Sequence, residues 1–591
     1  MLSRQRLFTE RRLLAGVDLL SLDVFDVALR RMVMEPEDVH RLVGELITDG
    51  DVAFTLEYPE LRLKAEAVTR ARHGDGCRSA DIADQLARAL DQRTPGSGAE
   101  LARRAVQCEL EIEQLLIRPD PGAIGLYRQA MQAGIRAVFV ADTPLPRDLV
   151  ARMLSGARYR PDHLLVTSHE GRDVADLLEE VISHSHPVGN HTLHLTSHPV
   201  RPAEPPADQD PAVTGTLPVV VLETPAPDAD TDTDTDAGRP PRARSRRGPR
   251  GDVTVRVVPE ARRAARRHLV LGFTPRSGLD SIAFALAADR MESTASRAGL
   301  EDLGYTMGGP LICGYAVWVA AEAARRRVGH LVFHRPTAHL VSRVVEMLGV
   351  PAVEAMSISR STARRLDQPD VAPGTHLLTV DLWAGAAWTG APAGTTVGQL
   401  ALGQLPDSSG APVPAGPSAG TPRQTGMRAT TWAFGWPTPG HPVFDPVAET
   451  ASRAVAVLEL LAGIGPASTD PGPDPVLDKL AAGIIQFAAD LQPWVRLGCT
   501  LTTAAMIEPA LRLADRPRPS EARLLAAAAV QEPGSGRIKP LIDVVDDDTA
   551  PLWPAGQRLL SAVPARRGPM ARIRRLRGRS RGAGEPPTQM V

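Results

Sequence analysis

The 591-residue sequence contains very few lysines and cysteines. Its lysines are Lys64, Lys479 and Lys539, so arginine supplies nearly all of the positive charge and a site that needs a cation must use arginine. The four cysteines lie far apart and form no Cys-x-x-Cys pair. This spacing argues against a disulfide framework and a thiolate zinc site, and it predicts a reducing compartment.

Long apolar runs are also missing. No stretch reaches the roughly 18 apolar residues of a membrane span, and no apolar signal-peptide core follows the first six residues. The formal net charge of −2 gives no general argument for an acidic or nucleic-acid partner. We therefore expect a cytoplasmic protein with no specific nucleic-acid partner.

The composition predicts two folded domains joined by irregular sequence. Hydrophobic residues make up 43% of the chain, whereas 53 prolines and 50 glycines require long irregular segments. Between Asp228 and Asp236 acids alternate mainly with threonines, and such a segment cannot bury enough apolar area to offset chain entropy. The predicted organisation is a first domain at 1–202, a disordered linker at 203–252, a second domain at 253–564 and a disordered basic tail at 565–591.

The first domain has the pattern of an α/β fold. An apolar run at 19–22 ends in Asp23 and Asp26, and open α/β sheets build their sites at such strand ends. A helical insertion follows at about 33–118, and helices then alternate with strands at 135–141, 163–167 and 192–195. This alternation predicts a parallel, doubly wound sheet.

Residues 19–31 resemble the first motif of the haloacid-dehalogenase-like (HAD) hydrolases, in the variant Ser-Phe-Asp-Val-Phe-Asp-Thr-Leu. The resemblance implies a Rossmannoid parallel sheet with a helical cap inserted after its first strand. It places Asp23 at the nucleophile position, where the carboxylate would attack a phosphate ester with Mg²⁺ bound beside it. Phe25 stands at the general-acid position and Val27 replaces the motif threonine.

The later HAD motifs are matched in part. Asp142 fits the second motif, but Ala141 replaces its hydroxyl residue, and Arg172 is the strong cation nearest the expected lysine position. In the fourth motif, residues 196–198 read Thr-Ser-His where Gly-Asp-Asn would hold magnesium. The implied catalytic set is Asp23, Asp26, Asp142 and Arg172, with weak Mg²⁺ binding through Asp23.

Histidines are concentrated between His163 and His198, and neutral imidazoles are zinc ligands. If residues 193–195 are extended, His191 and His194 face opposite sides of the strand, which argues against a shared ion. A zinc site and a set of polar strand-end histidines both remain open.

The second half resembles the C-terminal half of large HAD-like proteins encoded with bacterial surface-polysaccharide and glycosyltransferase systems. Residues 303–318 carry the Leu-Gly-Tyr and Gly-Pro elements, and Arg335, Arg360 and Asp381 lie in further matching motifs. These three residues are predicted to converge on one anionic ligand at strand ends, because arginine suits phosphate or carboxylate. The alternative is that the arginines cap helices and pair with local acids.

The sequence is consistent with three functions. The leading hypothesis is a HAD-like protein of polysaccharide or glycoconjugate metabolism that is weakly active or non-catalytic and binds a phosphorylated ligand or a glycosyltransferase-type partner. The first alternative is an active Mg²⁺-dependent phosphoester hydrolase with an aspartate nucleophile. The second is a scaffold that recruits partners, or weakly contacts an anionic membrane, through the arginine-rich segment 566–581.

Overall fold

The computed structural model describes the chain in separate stretches. The described residues are 13–47, 52–93, 95–161, 163–174, 176–177, 191–196, 220–222, 253–257, 275–294, 298–325, 327–328, 330–335, 339–349, 354–359, 376–384, 396–404, 430–433, 457, 460–461, 475–499, 501–526, 528–531, 538–542 and 553–562.

Two parallel sheets organise these residues. The strands are β1 (Leu19–Asp23), β2 (Leu29–Arg31), β3 (Ile117–Pro119), β4 (Arg136–Ala141), β5 (Leu164–Val166), β6 (Thr192–Thr196), β7 (Val220–Leu222), β8 (Val253–Val257), β9 (His330–Arg335), β10 (Glu354–Ser359), β11 (His376–Ala384), β12 (Thr396–Gln404), β13 (Thr430–Ala433), β14 (Ala529–Gln531) and β15 (Ile538–Pro540). The first sheet has the order β5-β4-β1-β6-β8-β7 and the second β10-β9-β11-β12-β13. All pairings within both sheets are parallel, so the predicted α/β class is confirmed.

Helices make up most of the remaining described residues. They are α1 (Asp38–Ile47), α2 (Val52–His73), α3 (Ser79–Arg93), α4 (Gly98–Leu116), α5 (Pro121–Gln132), α6 (Arg147–Gly156), α7 (Thr167–Glu170), α8 (Gly278–Thr294), α9 (Leu300–Leu303), α10 (Gly309–Arg325), α11 (His339–Leu348), α12 (Pro475–Arg496), α13 (Thr503–Asp515), α14 (Pro519–Leu525) and α15 (Pro554–Ala562). A 3-10 turn at Gly74–Gly76 follows α2, and a π-helical turn at Gly304–Gly308 precedes α10.

The core of the first sheet forms where apolar strands meet α5 and α6. Leu20 and Leu22 of β1 are fully buried, as parallel strands covered on both faces require. Tyr127, Phe139 and Tyr159 pack as a group with ring centroids 5.1–5.8 Å apart, and two of the three pairs are edge-to-face. This core holds the carboxyl ends of β1, β4 and β5 in fixed relation.

Two strands of the first sheet come from beyond the predicted first domain. β8 pairs with β6 although Val253 was expected to open the second domain, and β7 lies within the predicted linker yet pairs with β8. Both segments are short apolar runs, and backbone pairing with an open sheet edge satisfies their polar groups. The rest of the predicted linker and the predicted tail lie outside the described residues.

The helical insertion, assigned from the sequence to the first domain, shares a buried core with the second half of the chain. Leu42 of α1, Leu86 of α3 and Phe284 of α8 belong to one buried apolar cluster. Polar contacts also join these elements, since the Ser281 hydroxyl donates to Asp38 at 2.6 Å. Periodicity identifies the apolar face of an amphipathic helix but not the element that covers it.

Gly304 of the Leu-Gly-Tyr motif and Gly483 of α12 allow two helical segments to touch. A Cβ at Gly304 would overlap the Leu480 carbonyl oxygen, and a Cβ at Gly483 of α12 would overlap the Glu301 carbonyl oxygen. Beside this crossing the Tyr305 hydroxyl donates to Asp490 at 2.7 Å. Both glycines therefore serve close backbone packing.

One helical stretch, Leu300–Arg325, is long and apolar enough to cross a membrane by length and composition. Its most apolar window is 72% buried inside the structure. Core helices of globular proteins have the same properties, so this feature is weak evidence for a membrane span.

Gly483→Ala tests the close helix contact. The added methyl group meets backbone on the facing segment, so we expect the variant to lose about 3 kcal/mol of unfolding free energy. Gly125→Ala in α5 is the matched control, because nothing lies within 4 Å of its added Cβ and alanine favours helix by about 0.5–1 kcal/mol. Urea unfolding midpoints measure both effects, and equal midpoints for the two variants would contradict the packing role.

Candidate functional site

The carboxyl ends of β1 and β4 bring two acidic residues to one edge of the first sheet. Asp23 is in register with Val140, and the Val24 backbone N–H donates to the Val140 carbonyl oxygen at 2.8 Å. Asp142 directly follows the last residue of β4. The two acids therefore lie on neighbouring strand ends, while their catalytic roles stay predictions.

A tight turn follows Asp23 and leads into the helical insertion. The Leu29 N–H donates to the Val24 carbonyl oxygen at 2.7 Å, and Asp26 has a left-handed φ of 63°. Aspartate tolerates this conformation better than most residues. The Arg31 guanidinium lies 4.0 Å from the centroid of the Phe25 ring and pairs with Glu113 at 2.9 Å. Phe25, at the general-acid position, therefore packs against a cation that is already paired.

Asp142 contacts both the sheet and the helical insertion. The Thr167 hydroxyl, at the end of β5, donates to Asp142 Oδ1 at 3.0 Å. An Arg70 Nη1 atom on α2 lies 3.6 Å from the same oxygen. A hydroxyl thus stands near the edge although Ala141 lacks one, and it comes from the first residue after β5.

His194 lies directly behind Asp23. This β6 residue is fully buried, its Nδ1 lies 3.0 Å from the Ser21 hydroxyl, and its Nε2 lies 3.5 Å from Asp23 Oδ1. Burial lowers the pKa of His194 to about 4, so its imidazole is neutral at pH 7. The tautomer with the proton on Nε2 suits both neighbours, because Ser21 can then donate to Nδ1.

We refer to Asp23, Asp142, Thr167 and His194 as the strand-end site. The apolar run before it pointed to Asp23, and the family resemblance pointed to Asp142. Thr167 was not assigned from the sequence, and His194 was weighed there only as a strand-end histidine or a zinc ligand. A polar residue inside an apolar strand was the available signal for His194. Nothing in the local pattern shows which strand end lies beside it.

Arg172 makes its described hydrogen bond within its own segment. It lies on the surface just after α7, and its Nη2 donates to the Asp176 carbonyl oxygen at 3.0 Å. Arg70 is the arginine whose ion pair with Asp142 the structure records, and its sequence context did not single it out. The four-residue spacing of Arg70 from Glu66 indicated a charged helix face, but it did not indicate which part of the fold that face contacts.

Magnesium favours a near-octahedral set of oxygen ligands. Among the described stretches, no group of three or more His, Cys, Asp or Glu side chains is placed to hold a metal ion. Asp23 and Asp142 alone do not supply that set, so the described residues do not by themselves fit the implied ion. The expected Mg²⁺ and the alternative zinc site remain predictions.

The second predicted set lies in the second sheet. Arg335 is the last residue of β9, and Asp381 follows the last residue of β11 that is in register with β9. Arg360 directly follows β10 and lies outside the described residues. Since β9 is flanked by β10 and β11, the topology puts Arg335 and Asp381 on neighbouring strands; their convergence on one ligand stays a prediction.

Comparisons with known proteins give limited similarity. No protein-family model and no curated protein matches the chain. Among solved structures, a 2-haloacid dehalogenase from Pseudomonas syringae pv. Tomato DC3000 aligns at 17% identity and a TM-score of 0.24, covering 31% of this chain and 78% of that chain. The L-2-haloacid dehalogenase from Xanthobacter autotrophicus aligns at 14% identity and a TM-score of 0.20, covering 31% and 70%. TM-scores this low carry no argument.

The buried His194 predicts an acid-sensitive stability. Its pKa is about 4 in the folded state and near 6.5 in the unfolded chain, so below pH 6.5 only the unfolded state takes up the proton. The contribution of His194 to the free energy of unfolding is fully present above pH 6.5. It falls by about 3 kcal/mol as the pH drops to about 4. Urea unfolding between pH 7 and pH 4 measures this loss.

His194→Gln is expected to flatten that pH dependence, and His163→Gln, at an exposed position beside β5, to leave it unchanged. His40 is also buried with a lowered pKa, so some slope persists in His194→Gln. If the unfolding free energy fell equally steeply with pH in wild type and in His194→Gln, the folded state would not lower the pKa of His194.

Proposed function

We propose that the chain is a haloacid-dehalogenase-like protein of polysaccharide or glycoconjugate metabolism. Its strand-end site binds a phosphorylated small molecule, such as a hexose 1-phosphate, with little or no turnover. The observation that carries the proposal is the pairing of β1 with β4, which puts Asp23 and Asp142 on neighbouring strand ends. The glycoconjugate setting is supported by the sequence motifs of the second half.

Polar groups around the two acids support anion binding at this edge. The Thr167 hydroxyl and the neutral His194 imidazole supply hydrogen-bonding groups, and Arg70 brings positive charge within 3.6 Å of Asp142. An anionic ligand needs such charge because two carboxylates otherwise repel it. Sheet ends of this kind are where open α/β folds bind their ligands.

Low turnover is supported by the residues at the motif positions. Ala141 replaces a hydroxyl, and Thr196 and Ser197 stand where the fourth motif has glycine and aspartate. Loss of one preorganised electrostatic contact commonly lowers rate by about two to three orders of magnitude. Several losses at one site leave little phosphoryl transfer.

An active Mg²⁺-dependent phosphatase is the second candidate. It is favoured by the position of Asp23 at the strand tip, where 18% of its side chain is exposed. In that mechanism the Asp23 carboxylate attacks phosphorus and the ester oxygen leaves.

Asp23→Asn separates the two candidates. In the binding protein, removing one negative charge beside a phosphate dianion is expected to tighten hexose 1-phosphate binding about fivefold, because such a repulsion is worth about 1 kcal/mol. In a phosphatase, the same change abolishes phosphate release. Titration calorimetry and a colorimetric phosphate assay, each with magnesium and with EDTA, measure the two properties.

Asp148→Asn is the matched control, since Asp148 is exposed in the first turn of α6. It is expected to change neither binding nor phosphate release. Magnesium-dependent phosphate release by the wild type that disappears only in Asp23→Asn would contradict the binding proposal. Absence of hexose 1-phosphate binding by the wild type would also overturn it.

A further inference from the structure

A row of alternating charges on α2 runs from the buried core of the helical insertion to the strand-end site. Arg62, Glu66 and Arg70 follow one another at four-residue intervals and therefore share one helix face. Arg62 Nη1 lies 2.9 Å from Glu66, and Arg70 Nε donates to Glu66 at 2.9 Å. We call these three residues, with Glu109 at the inner end, the α2 charge row.

The inner end of the α2 charge row is fixed. Arg62 is 1% exposed and makes two hydrogen bonds to Glu109, at 2.8 and 2.7 Å. Burial raises the pKa of Glu109, but the charge and hydrogen bonds of Arg62 together with the nearby His40 more than offset burial, and the net pKa is lowered. Both groups therefore stay ionised. Bidentate arginine–carboxylate pairs of this kind have a well-defined geometry.

The outer end of the row faces the strand-end site. Arg70 is only about one-third exposed, its Nε is held by Glu66, and its Nη1 lies 3.6 Å from Asp142 Oδ1. That separation is an ion pair but exceeds hydrogen-bond length. Asp142 Oδ1 receives its close hydrogen bond from Thr167 instead, at 3.0 Å.

The segment after α2 is attached to the loops at the strand ends. The Ser79 hydroxyl donates to the Pro144 carbonyl oxygen at 2.8 Å, and Arg78 Nε donates to the Ser168 carbonyl oxygen at 3.3 Å. A Cβ at Gly76 would lie 3.5 Å from the Gly171 Cα atom, so the 3-10 turn sits against the end of α7. These contacts position Arg70 before any ligand arrives, which reduces the entropy cost of binding.

We propose that Arg70 is the anion-recognising residue of the strand-end site, and that it binds the phosphate of a dianionic phosphate monoester. Ligand oxygens form hydrogen bonds to the Arg70 guanidinium that are shorter than its present separation from Asp142. This inference rests on the proposed function. It also assigns the cation to the helical insertion, whereas the sequence motif had pointed to Arg172.

Arginine substitutions test the assignment by titration calorimetry with hexose 1-phosphate. Arg70→Gln is expected to weaken binding about 10- to 100-fold, because hydrogen bonds to charged groups contribute that much. Arg70→Lys keeps the charge but lacks the planar guanidinium. Its affinity is expected to lie between that of the wild type and that of Arg70→Gln. Arg72→Gln, on the same helix but exposed, and Arg172→Gln are expected to change affinity less than twofold.

A pH series separates recognition of the anion from a structural role. The second ionisation of a phosphate monoester lies near pH 6, so wild-type affinity is expected to rise between pH 5 and pH 7. That rise is expected to shrink in Arg70→Gln. A variant that had only lost local structure would bind weakly at every pH with the wild-type dependence retained, and this outcome overturns the assignment.

The remaining outcomes are distinct. If wild type binds hexose 1-phosphate and both Arg70 variants bind equally well, the Arg70 assignment is wrong and the proposed function stands. If Arg172→Gln alone loses binding, the cation is Arg172. If wild type does not bind the ester at any pH, the proposed function and this inference both fail. If Arg70→Gln does not fold, wild-type affinity in Arg70→Lys overturns the assignment.

Discussion

Parallel pairing of β1 with β4 is the constraint on which the candidate site depends. The register that aligns Asp23 with Val140 ends both strands at one edge, and a shift of one residue would turn every side chain of β1 to the opposite face. The helical insertion leaves and re-enters the fold just beyond this edge, where β2 and β3 pair antiparallel. Both ends of the insertion are therefore fixed close to the strand ends, which is why a side chain of α2 meets Asp142.

The position of the insertion also depends on the second half of the chain. The Gly278 N–H at the start of α8 donates to Glu45 of α1 at 2.8 Å, and Arg30 of β2 pairs with Glu292 of α8 at 2.6 Å. These polar contacts surround a single buried apolar cluster shared by the insertion and α8–α13. A change in the C-terminal helices is thus transmitted to the insertion through packing, because close-packed interiors deform little.

Sequence patterns predicted the elements better than their partners. Apolar runs and alternating helices predicted β1, β4, β5 and β6, and the family motif marked Asp142 after β4. Parallel strands place their carboxyl ends together, so Asp23 and Asp142 could be expected on neighbouring strand ends. Local pattern gave no indication that β8 joins that sheet, since backbone pairing leaves little trace in a five-residue apolar segment. Gly304 matched a family motif, but only the helix crossing shows that Gly304 and Gly483 permit backbone contact.

Arg70 was missed for a related reason, since its role follows from contacts between residues distant in the chain. In a sequence nearly without lysine, a cation at the strand ends must be a guanidinium, and a guanidinium is useful only when its planar fork is oriented. A short loop orients such a group poorly, whereas a helix supplies acids at four-residue spacing that hold Nε, as Glu66 does here. Arg70, at the exposed end of the α2 charge row, therefore has a guanidinium of fixed orientation. Because its Nη1 lies 3.6 Å from Asp142, that ion pair is weaker than a hydrogen-bonded pair with a phosphate oxygen.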